Sequence, residues 1–124
     1  MGARRARGPE LASLWVRRGD GRRMHGLLGT APLPDDDRPL VVLVHGLIVS
    51  SRYMRPLARA LSPHVRVLAP DLPGFGRSRG GPVLGLDALA DALVDWLDAL
   101  EVERAAFVGN SMGGQFITSL AARH

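Results

Sequence analysis

The residues best suited to carry out chemistry are Gly109-Asn110-Ser111-Met112-Gly113, near the end of the chain. An apolar run precedes them and an apolar-periodic stretch follows, which predicts a short strand, a sharp turn and a helix. Glycine at the first and last of these positions lets the flanks of the turn approach closely, because neither carries a Cβ. Such a turn holds its serine at positive φ and exposes the hydroxyl. The pattern Gly-x-Ser-x-Gly therefore predicts that Ser111 is a nucleophile.

A serine hydroxyl is a weak nucleophile until a histidine removes its proton and a carboxylate orients that histidine. In proteins that use this type of turn, both partners follow the serine in chain order. Only thirteen residues follow Ser111 in this sequence, and none of them is Asp or Glu. We therefore expect the chain to be the N-terminal segment of a larger enzyme, and we expect these residues alone to hydrolyse esters poorly.

Alternating strands and helices must position this turn. Residues 14–18 and 23–28 flank Gly19-Asp20-Gly21, whose Asp-Gly step predicts a β-hairpin. The later segments alternate between strand and helix: a strand over 40–44, a helix over 53–61, a strand over 65–69, a helix over 86–100, a strand over 104–108 and a helix from 111. The helix over 53–61 is expected to pack one apolar face, formed by Met54, Leu57, Ala58 and Leu61. This order predicts an α/β fold with an N-terminal hairpin and parallel βαβ units.

Three motifs at the ends of successive predicted strands together resemble the α/β-hydrolase fold. They are His45-Gly46-Leu47, the loop Asp71-Leu72-Pro73-Gly74-Phe75-Gly76-Arg77-Ser78 and the nucleophile elbow around Ser111. The resemblance covers the N-terminal half of that fold and implies a partial fold, truncated after the elbow helix. In carrying a serine at the elbow, the chain resembles esterases, acyl-ester hydrolases and C–C bond hydrolases. It does not resemble the branches that place Asp there to attack haloalkanes or epoxides.

The resemblance also implies roles for individual positions. Ser111 matches the nucleophile, and the backbone N–H of Met112 matches one donor of the oxyanion hole. The N–H of Leu47 matches the second donor, with Ile48 the less favoured choice. His45-Gly46 matches the loop that shapes this hole, so we interpret His45 as a structural residue and expect the catalytic histidine later in the fold. Gly109 and Gly113 are site-shaping residues for the reason given above.

We predict no catalytic role for the other histidines. His124 resembles the end of the helix behind the elbow, where packing or capping is the preferred interpretation. His25 is placed in a strand and His64 in a loop, and neither shows a partner pattern. Asp71 is interpreted as a turn and hydrogen-bonding residue rather than an acid–base group.

Neither a cofactor nor a metal ion is expected. Gly74-x-Gly76 follows a predicted strand, as a dinucleotide-binding loop does, but Arg79 stands where the third glycine belongs. No pair of histidines and carboxylates has the spacing of a metal site. We interpret the glycines as a tight turn between sheet and helix.

The composition of the chain indicates which binding partners and which cellular compartment to expect. The formal net charge is +4, from 16 basic and 12 acidic residues, and there is no cysteine. Arginines are concentrated in the first 23 residues, but with only two Trp, one Tyr and three Phe the chain lacks the interleaved aromatic residues of a single-strand nucleic-acid binder. No apolar run reaches the length of a membrane span. We expect a cytoplasmic protein that binds a small acyl substrate and neither nucleic acid nor membrane.

Residues 1–10 are expected to form a mobile basic tail, and residues 11–124 the N-terminal portion of a single α/β-hydrolase domain. The strand over 104–108 would then have an unpaired edge, which favours self-association or pairing with a complementing C-terminal half. Two alternatives to an esterase remain open at this point. One is a C–C bond hydrolase or haloperoxidase-like enzyme, and the other is a non-catalytic fragment that lacks the triad Asp and His.

Overall fold

The computed structural model describes residues 11–29, 37–46, 50–81 and 84–124. These residues form one five-stranded sheet flanked by α-helices. The strands are β1 (Leu11–Arg17), β2 (Arg23–Gly29), β3 (Leu40–Val44), β4 (Arg66–Pro70) and β5 (Ala106–Gly109). The helices are α1 (Arg55–Leu61), which continues a 3-10 turn over Ser51–Met54, α2 (Leu86–Ala99) and α3 (Met112–Arg123). The predicted tail over residues 1–10 lies outside the described residues.

The sheet is mixed, with strand order β1-β2-β4-β3-β5. The hairpin strands β1 and β2 are antiparallel, and β2 also pairs antiparallel with β4. β3 lies between β4 and β5 and is parallel to both. This confirms the predicted α/β arrangement of an N-terminal hairpin followed by parallel βαβ units.

The sheet buries apolar side chains on both faces, as the continuous apolar sequence of β3 predicts. Val42 of β3 joins Trp96 and Phe116 in the cluster beneath α2 and α3. Leu43 points to the opposite face and joins Ala58 in the cluster beneath α1. Removal of such side chains from water contributes about 1.5–3 kcal/mol each for Val, Leu or Phe, so both helical layers hold the sheet in place.

The helix predicted over residues 53–61 begins differently in the structure. Residues Ser51–Met54 form a 3-10 turn, and the α-helix starts at Arg55 with Pro56 in its first turn. Proline is accommodated there because it lacks only an N–H that has no partner inside the helix. Of the predicted apolar face, Met54 and Ala58 are buried and Leu61 is packed against the same cluster. Leu57 is 40% exposed, so its place on the packed face is wrong.

β5 occupies one edge of the sheet. Its bounds, Ala106–Gly109, lie slightly later than the predicted strand over 104–108. Among the described strands it pairs with β3 alone, in a register that places Val44 beside Gly109. Val108 is 42% exposed on this edge strand. The three parallel strands end at the same side of the sheet, where α/β proteins place their ligands.

Candidate active site

Ser111 occupies the turn between β5 and α3. Its backbone has φ 53° and ψ −115°, outside the regions that residues other than glycine ordinarily adopt. The expected positive φ is therefore confirmed. The turn is tied to β3 by the N–H of Asn110, which donates to the carbonyl of Val44 at 3.1 Å. The N–H of Gly113 donates to the carbonyl of Asn110 at 2.8 Å and closes the turn. Ser111 itself is exposed.

The glycines on either side of Ser111 permit this turn by close backbone contact. A Cβ placed on Gly109 would lie 2.5 Å from the carbonyl carbon of Gly113 and 2.5 Å from the nitrogen of Gly114. A Cβ on Gly113 would collide with the carbonyl oxygen of Val44 and lie 2.9 Å from that of His45. Ordinary Cβ contacts are longer than this, so a side chain at either glycine requires the backbone to move. The predicted close approach of the two flanks is confirmed.

The loop after β3 lies directly against this turn. A Cβ on Gly46 would stand 3.6 Å from the Cβ of Ser111 and 3.8 Å from the backbone nitrogen of Met112. Glycine at position 46 therefore allows the loop after β3 to pack closely against the turn, where a Cβ would also lie 3.1 Å from the carbonyl oxygen of Asn110. Met112 is the first residue of α3, where an N–H has no acceptor within its own helix. The second predicted donor, Leu47, and the alternative, Ile48, lie outside the described residues.

His45 is fully buried behind the loop and not directed at the serine. Its Nε2 accepts the N–H of Leu72 at 3.0 Å, so the ring proton is on Nδ1, which donates to the carbonyl of Gly46 at 2.7 Å. The ring also meets Phe75 edge-to-face at a centroid distance of 5.4 Å. Burial lowers the pKa of His45 below its ordinary value, against smaller opposing effects from Gly46 and Asp71. The imidazole is therefore neutral, and both nitrogens are engaged within the protein.

Asp71 forms a buried polar network that the sequence analysis only partly anticipated. Its carboxylate accepts hydrogen bonds from His25 Nδ1 at 2.7 Å, from the N–H of Ser51 at 2.7 Å and from the N–H of Arg77 at 3.0 Å. Burial by itself raises the pKa of Asp71, but these hydrogen bonds outweigh it and hold the pKa below its ordinary value. The interpretation of Asp71 as a hydrogen-bonding residue agrees with this geometry.

The partner of Asp71 was missed. His25, assigned no partner from the sequence, is buried with Asp71 on Nδ1 and Ser13 Oγ at 3.0 Å from Nε2. The pairing depends on the antiparallel register that sets Gly26 opposite Pro70. Such a register cannot be predicted from any local sequence pattern.

An open cavity of about 610 Å³ lies beside Ser111 along α3. It is lined by Ser111, Asp87 and Gln115, among others. The carboxylate of Asp87 accepts a hydrogen bond from the hydroxyl of Ser119 at 2.6 Å and lies 3.5 Å from the guanidinium of Arg123. Because it is engaged in these two interactions, it is not available as a free base. The terminal residue of the chain, His124, is 2.9 Å from Asp91 and caps α3 through its N–H, which donates to Leu120.

In the described part of the chain, no group of three or more His, Cys, Asp or Glu side chains is placed to hold a metal ion. Within the same residues, no helix combines the length and apolar character needed to cross a membrane.

The chain belongs to the α/β-hydrolase fold family, whose model matches residues 39–124. That match includes the loop of His45, the loop of Asp71 and the turn of Ser111. The five-stranded sheet with its hairpin is thus the N-terminal part of this fold.

Similar proteins include enzymes of more than one reaction class. The chain is 40% identical over 82 residues to an esterase, YbfF of Escherichia coli, covering 66% of this chain and 32% of that protein. It is 40% identical over 88 residues to the 2-hydroxy-6-oxo-2,4-heptadienoate hydrolase of Pseudomonas putida, covering 67% of this chain and 32% of the enzyme. The chain spans about a third of the length of these curated relatives.

A solved structure agrees with the same fold. The enol-lactonase of Burkholderia xenovorans superposes with a TM-score of 0.79 at 30% sequence identity. The superposition covers 90% of this chain and 42% of that one.

Proposed function

We propose that this chain carries the nucleophile of a serine hydrolase that cleaves ester-like acyl substrates through an acyl-enzyme. The observation that carries the proposal is the backbone of Ser111, held at φ 53° between β5 and α3. A non-glycine residue in this conformation costs of order 1–3 kcal/mol, and such strain is concentrated at functional sites. Here it places an exposed hydroxyl at the N-terminus of a twelve-residue helix.

The oxyanion of the acyl-transfer step would be stabilised by backbone donors. The Met112 N–H stands at the start of α3, where the helix dipole also favours negative charge. The position of Gly46 supports this role, since a Cβ there would lie 3.8 Å from the Met112 nitrogen. We propose the N–H of Leu47 as the second donor, since it follows Gly46 directly. Each such donor contributes on the order of 10²–10³ in rate.

The base and its orienting carboxylate are proposed to come from residues beyond this segment. His45 is excluded as the base because both of its ring nitrogens are engaged. Asp71 is committed to its own hydrogen bonds, and Asp87 to Ser119 and Arg123. The proposed roles of the site-shaping residues His45, Gly46, Gly109 and Gly113 are to build the turn and the oxyanion loop.

A second candidate reaction is hydrolysis of a C–C bond in a diketone-like substrate. It is favoured by the relative from Pseudomonas putida, which matches this chain at the same 40% identity as the esterase does. A serine nucleophile serves both reactions, so residues 109–113 do not separate them.

The proposal is tested by comparing the 124-residue chain with the full-length protein, meaning this chain joined to the proposed base and its carboxylate, in hydrolysis of a p-nitrophenyl acyl ester. Full-length protein is expected to turn over the ester, and Ser111→Ala to abolish this turnover. Ser119→Ala is the matched control, because Ser119 lies on α3 and lines the same cavity. The short chain is expected to show at most a residual rate, on the order of 10³ over water. Ser111-dependent turnover by the short chain would contradict the placement of the base beyond this segment.

Cleavage of a vinylogous diketone by the full-length protein, with no ester turnover, would select the second candidate. Loss of activity in both serine variants alike would contradict Ser111 as the nucleophile.

A further inference from the structure

A second cavity, of about 820 Å³, is lined by residues of β1 and β2, of the segment that leads into α1 and of the loop after β4. Its walls include four arginines, Arg52, Arg55, Arg77 and Arg79. It has no lining residue in common with the cavity beside Ser111. The hydrolase chemistry proposed above makes no use of it.

The positive charge of these walls is not balanced by carboxylates. Asp71 is the one acidic residue in the lining, and its oxygens accept from His25, Ser51 and Arg77 within the network described above. No ion pair joins any of the four arginines to a carboxylate of the described residues. Like charges gathered in one concave space repel one another unless an anion lies between them.

One of these guanidinium groups also lacks a hydrogen-bond acceptor. The Nε of Arg55 is buried and has no partner among the residues that the structure describes. Buried donors in folded proteins nearly always have an acceptor, and an unpaired one points to a ligand or ion. Arg55 is half-buried at the start of α1 and is one of the residues that line the cavity.

Two of the other arginines are held in place by hydrogen bonds that use only part of their donors. Arg77 uses Nη1 to donate to Ser13 at 3.1 Å, and Arg79 uses Nε to donate to the carbonyl of Gly76 at 2.9 Å. Each guanidinium has five N–H donors, so most of these donors remain available. The hydrogen bond from Ser51 N–H to Asp71, 2.7 Å long, fixes the segment of Arg52 against the loop of Arg77. Arg77 and Arg79 are therefore held in position before an anion binds.

A smaller cavity of about 440 Å³ continues this basic surface. It shares Trp15, Arg77 and Arg79 with the larger one and adds four arginines, Arg17, Arg18, Arg22 and Arg23, of which Arg18 is paired with Asp20. The guanidinium of Arg23 stacks on Trp15 at 4.7 Å from the ring centre. Two adjoining arginine-lined spaces that share two arginines suit an anion with more than one charged group.

We propose that these two cavities form a binding site for a small polyphosphate, an anion with at least two linked phosphate groups. Arginine binds phosphate oxygens through paired N–H donors, which a planar guanidinium presents in a fixed fork. Arg52 and Arg55 bind one phosphate group in the larger cavity, and Arg77 and Arg79 bind the next group at the junction. The concave shape and the buried donor of Arg55 distinguish this site from an extended nucleic-acid surface.

The test is calorimetric titration of the 124-residue chain with inorganic pyrophosphate, with orthophosphate titrated in parallel at the same ionic strength. Pyrophosphate is expected to bind at least about tenfold more tightly than orthophosphate, because it engages both cavities. Arg52→Gln combined with Arg55→Gln is expected to weaken pyrophosphate binding by about tenfold or more. Arg59→Gln is the matched control, since Arg59 is an exposed arginine of α1 outside the lining. It is expected to leave affinity within about twofold.

Intrinsic fluorescence supplies a second readout. Trp15 is 41% exposed and lines both cavities, whereas Trp96 is fully buried in the core. Pyrophosphate is expected to change the emission of the chain but not that of Trp15→Phe. Circular dichroism of each variant verifies that its fold is kept.

Three outcomes would overturn the proposal. One is that about 1 mM pyrophosphate produces neither heat nor a change in fluorescence. A site built from several arginines should bind pyrophosphate at lower concentrations than this. Another is an equal loss of affinity in Arg59→Gln, which would show general charge attraction. The third is tight binding of a single-stranded oligonucleotide that pyrophosphate does not displace, which would identify a nucleic-acid surface instead.

Discussion

His25 donates a hydrogen bond of 2.7 Å from Nδ1 to the carboxylate of Asp71, which is 46 residues away in sequence. Both side chains are 2% exposed. The bond joins β2 to the loop after β4, and Asp71 also accepts the N–H of Ser51 from the segment that follows β3. Asp71 therefore ties together three chain segments at the edge of the sheet that carries Gly46 and Ser111.

Replacement of Asp71 by Asn is expected to lower the free energy of unfolding by about 3 kcal/mol, because it removes one partner of a buried charged network. The measurement is urea denaturation followed by circular dichroism at neutral pH. Asp95→Asn is the control, since Asp95 is an exposed aspartate on α2. A loss of stability equal to that of the control would contradict the structural role of Asp71.

His45 is expected to make the fold sensitive to mild acid. Burial lowers its pKa in the folded chain below the unfolded value of about 6.5. The unfolded chain then binds the proton more readily, so the stabilisation is complete above pH about 6.5 and is lost as pH falls toward the folded pKa. Urea midpoints measured between pH 8 and pH 5, spanning about this unfolded pKa, should fall, and His45→Gln should flatten that fall. An unchanged slope in His45→Gln would assign the acid sensitivity to another group.

Replacement by alanine is expected to have opposite effects on the stability of the fold at two adjacent glycines of α3. Gly113→Ala introduces a Cβ that collides with the carbonyl oxygen of Val44, and it should destabilise the fold by about 1–3 kcal/mol or more. A Cβ on Gly114 meets nothing within 4 Å, so Gly114→Ala should stabilise α3 by up to about 1 kcal/mol. Thermal unfolding of the pair measures the difference. Equal effects in both variants would contradict the close contact between the turn and β3.

The site near Ser111 could be predicted because its signals are local. Glycine two positions before and after a serine, between an apolar run and a helical period, implies a tight turn at Ser111 without knowledge of distant contacts. The hairpin and the parallel strands were predictable for the same reason, since each has its own turn or apolar pattern.

The network of His25 and Asp71 could not be predicted in this way. It depends on the register of β2 against β4, which long-range packing decides. On α1 the sequence placed Leu57 on the packed face together with Met54 and Ala58, but only the latter two are buried, because how far the apolar face of a short helix is covered depends on what packs against it. Arg52 and Arg77 likewise line one cavity because long-range contacts, such as the hydrogen bond from Ser51 to Asp71, bring their segments together.

The free edge of β5 is expected to cause association of the 124-residue chain. Val108 is 42% exposed on this strand, and the described strands pair with β5 on one side only. Val108→Lys should reduce association, because a charge on an edge strand opposes strand-to-strand pairing. Leu57→Lys is the matched control, since Leu57 is 40% exposed on α1. Sedimentation over a range of concentrations measures this, and a monomeric parent chain with protected β5 amides would contradict the expectation.

The most direct test of the account is to trap the acyl group on the protein. Full-length protein is mixed with a p-nitrophenyl acyl ester, quenched in acid during turnover and digested, and the peptide that contains residues 109–113 is examined by mass spectrometry. The account predicts an added acyl mass on Ser111, absent in Ser111→Ala and retained in Ser119→Ala. Turnover with no acyl group on Ser111, or with the group on another residue, would contradict the central claim that Ser111 is the nucleophile.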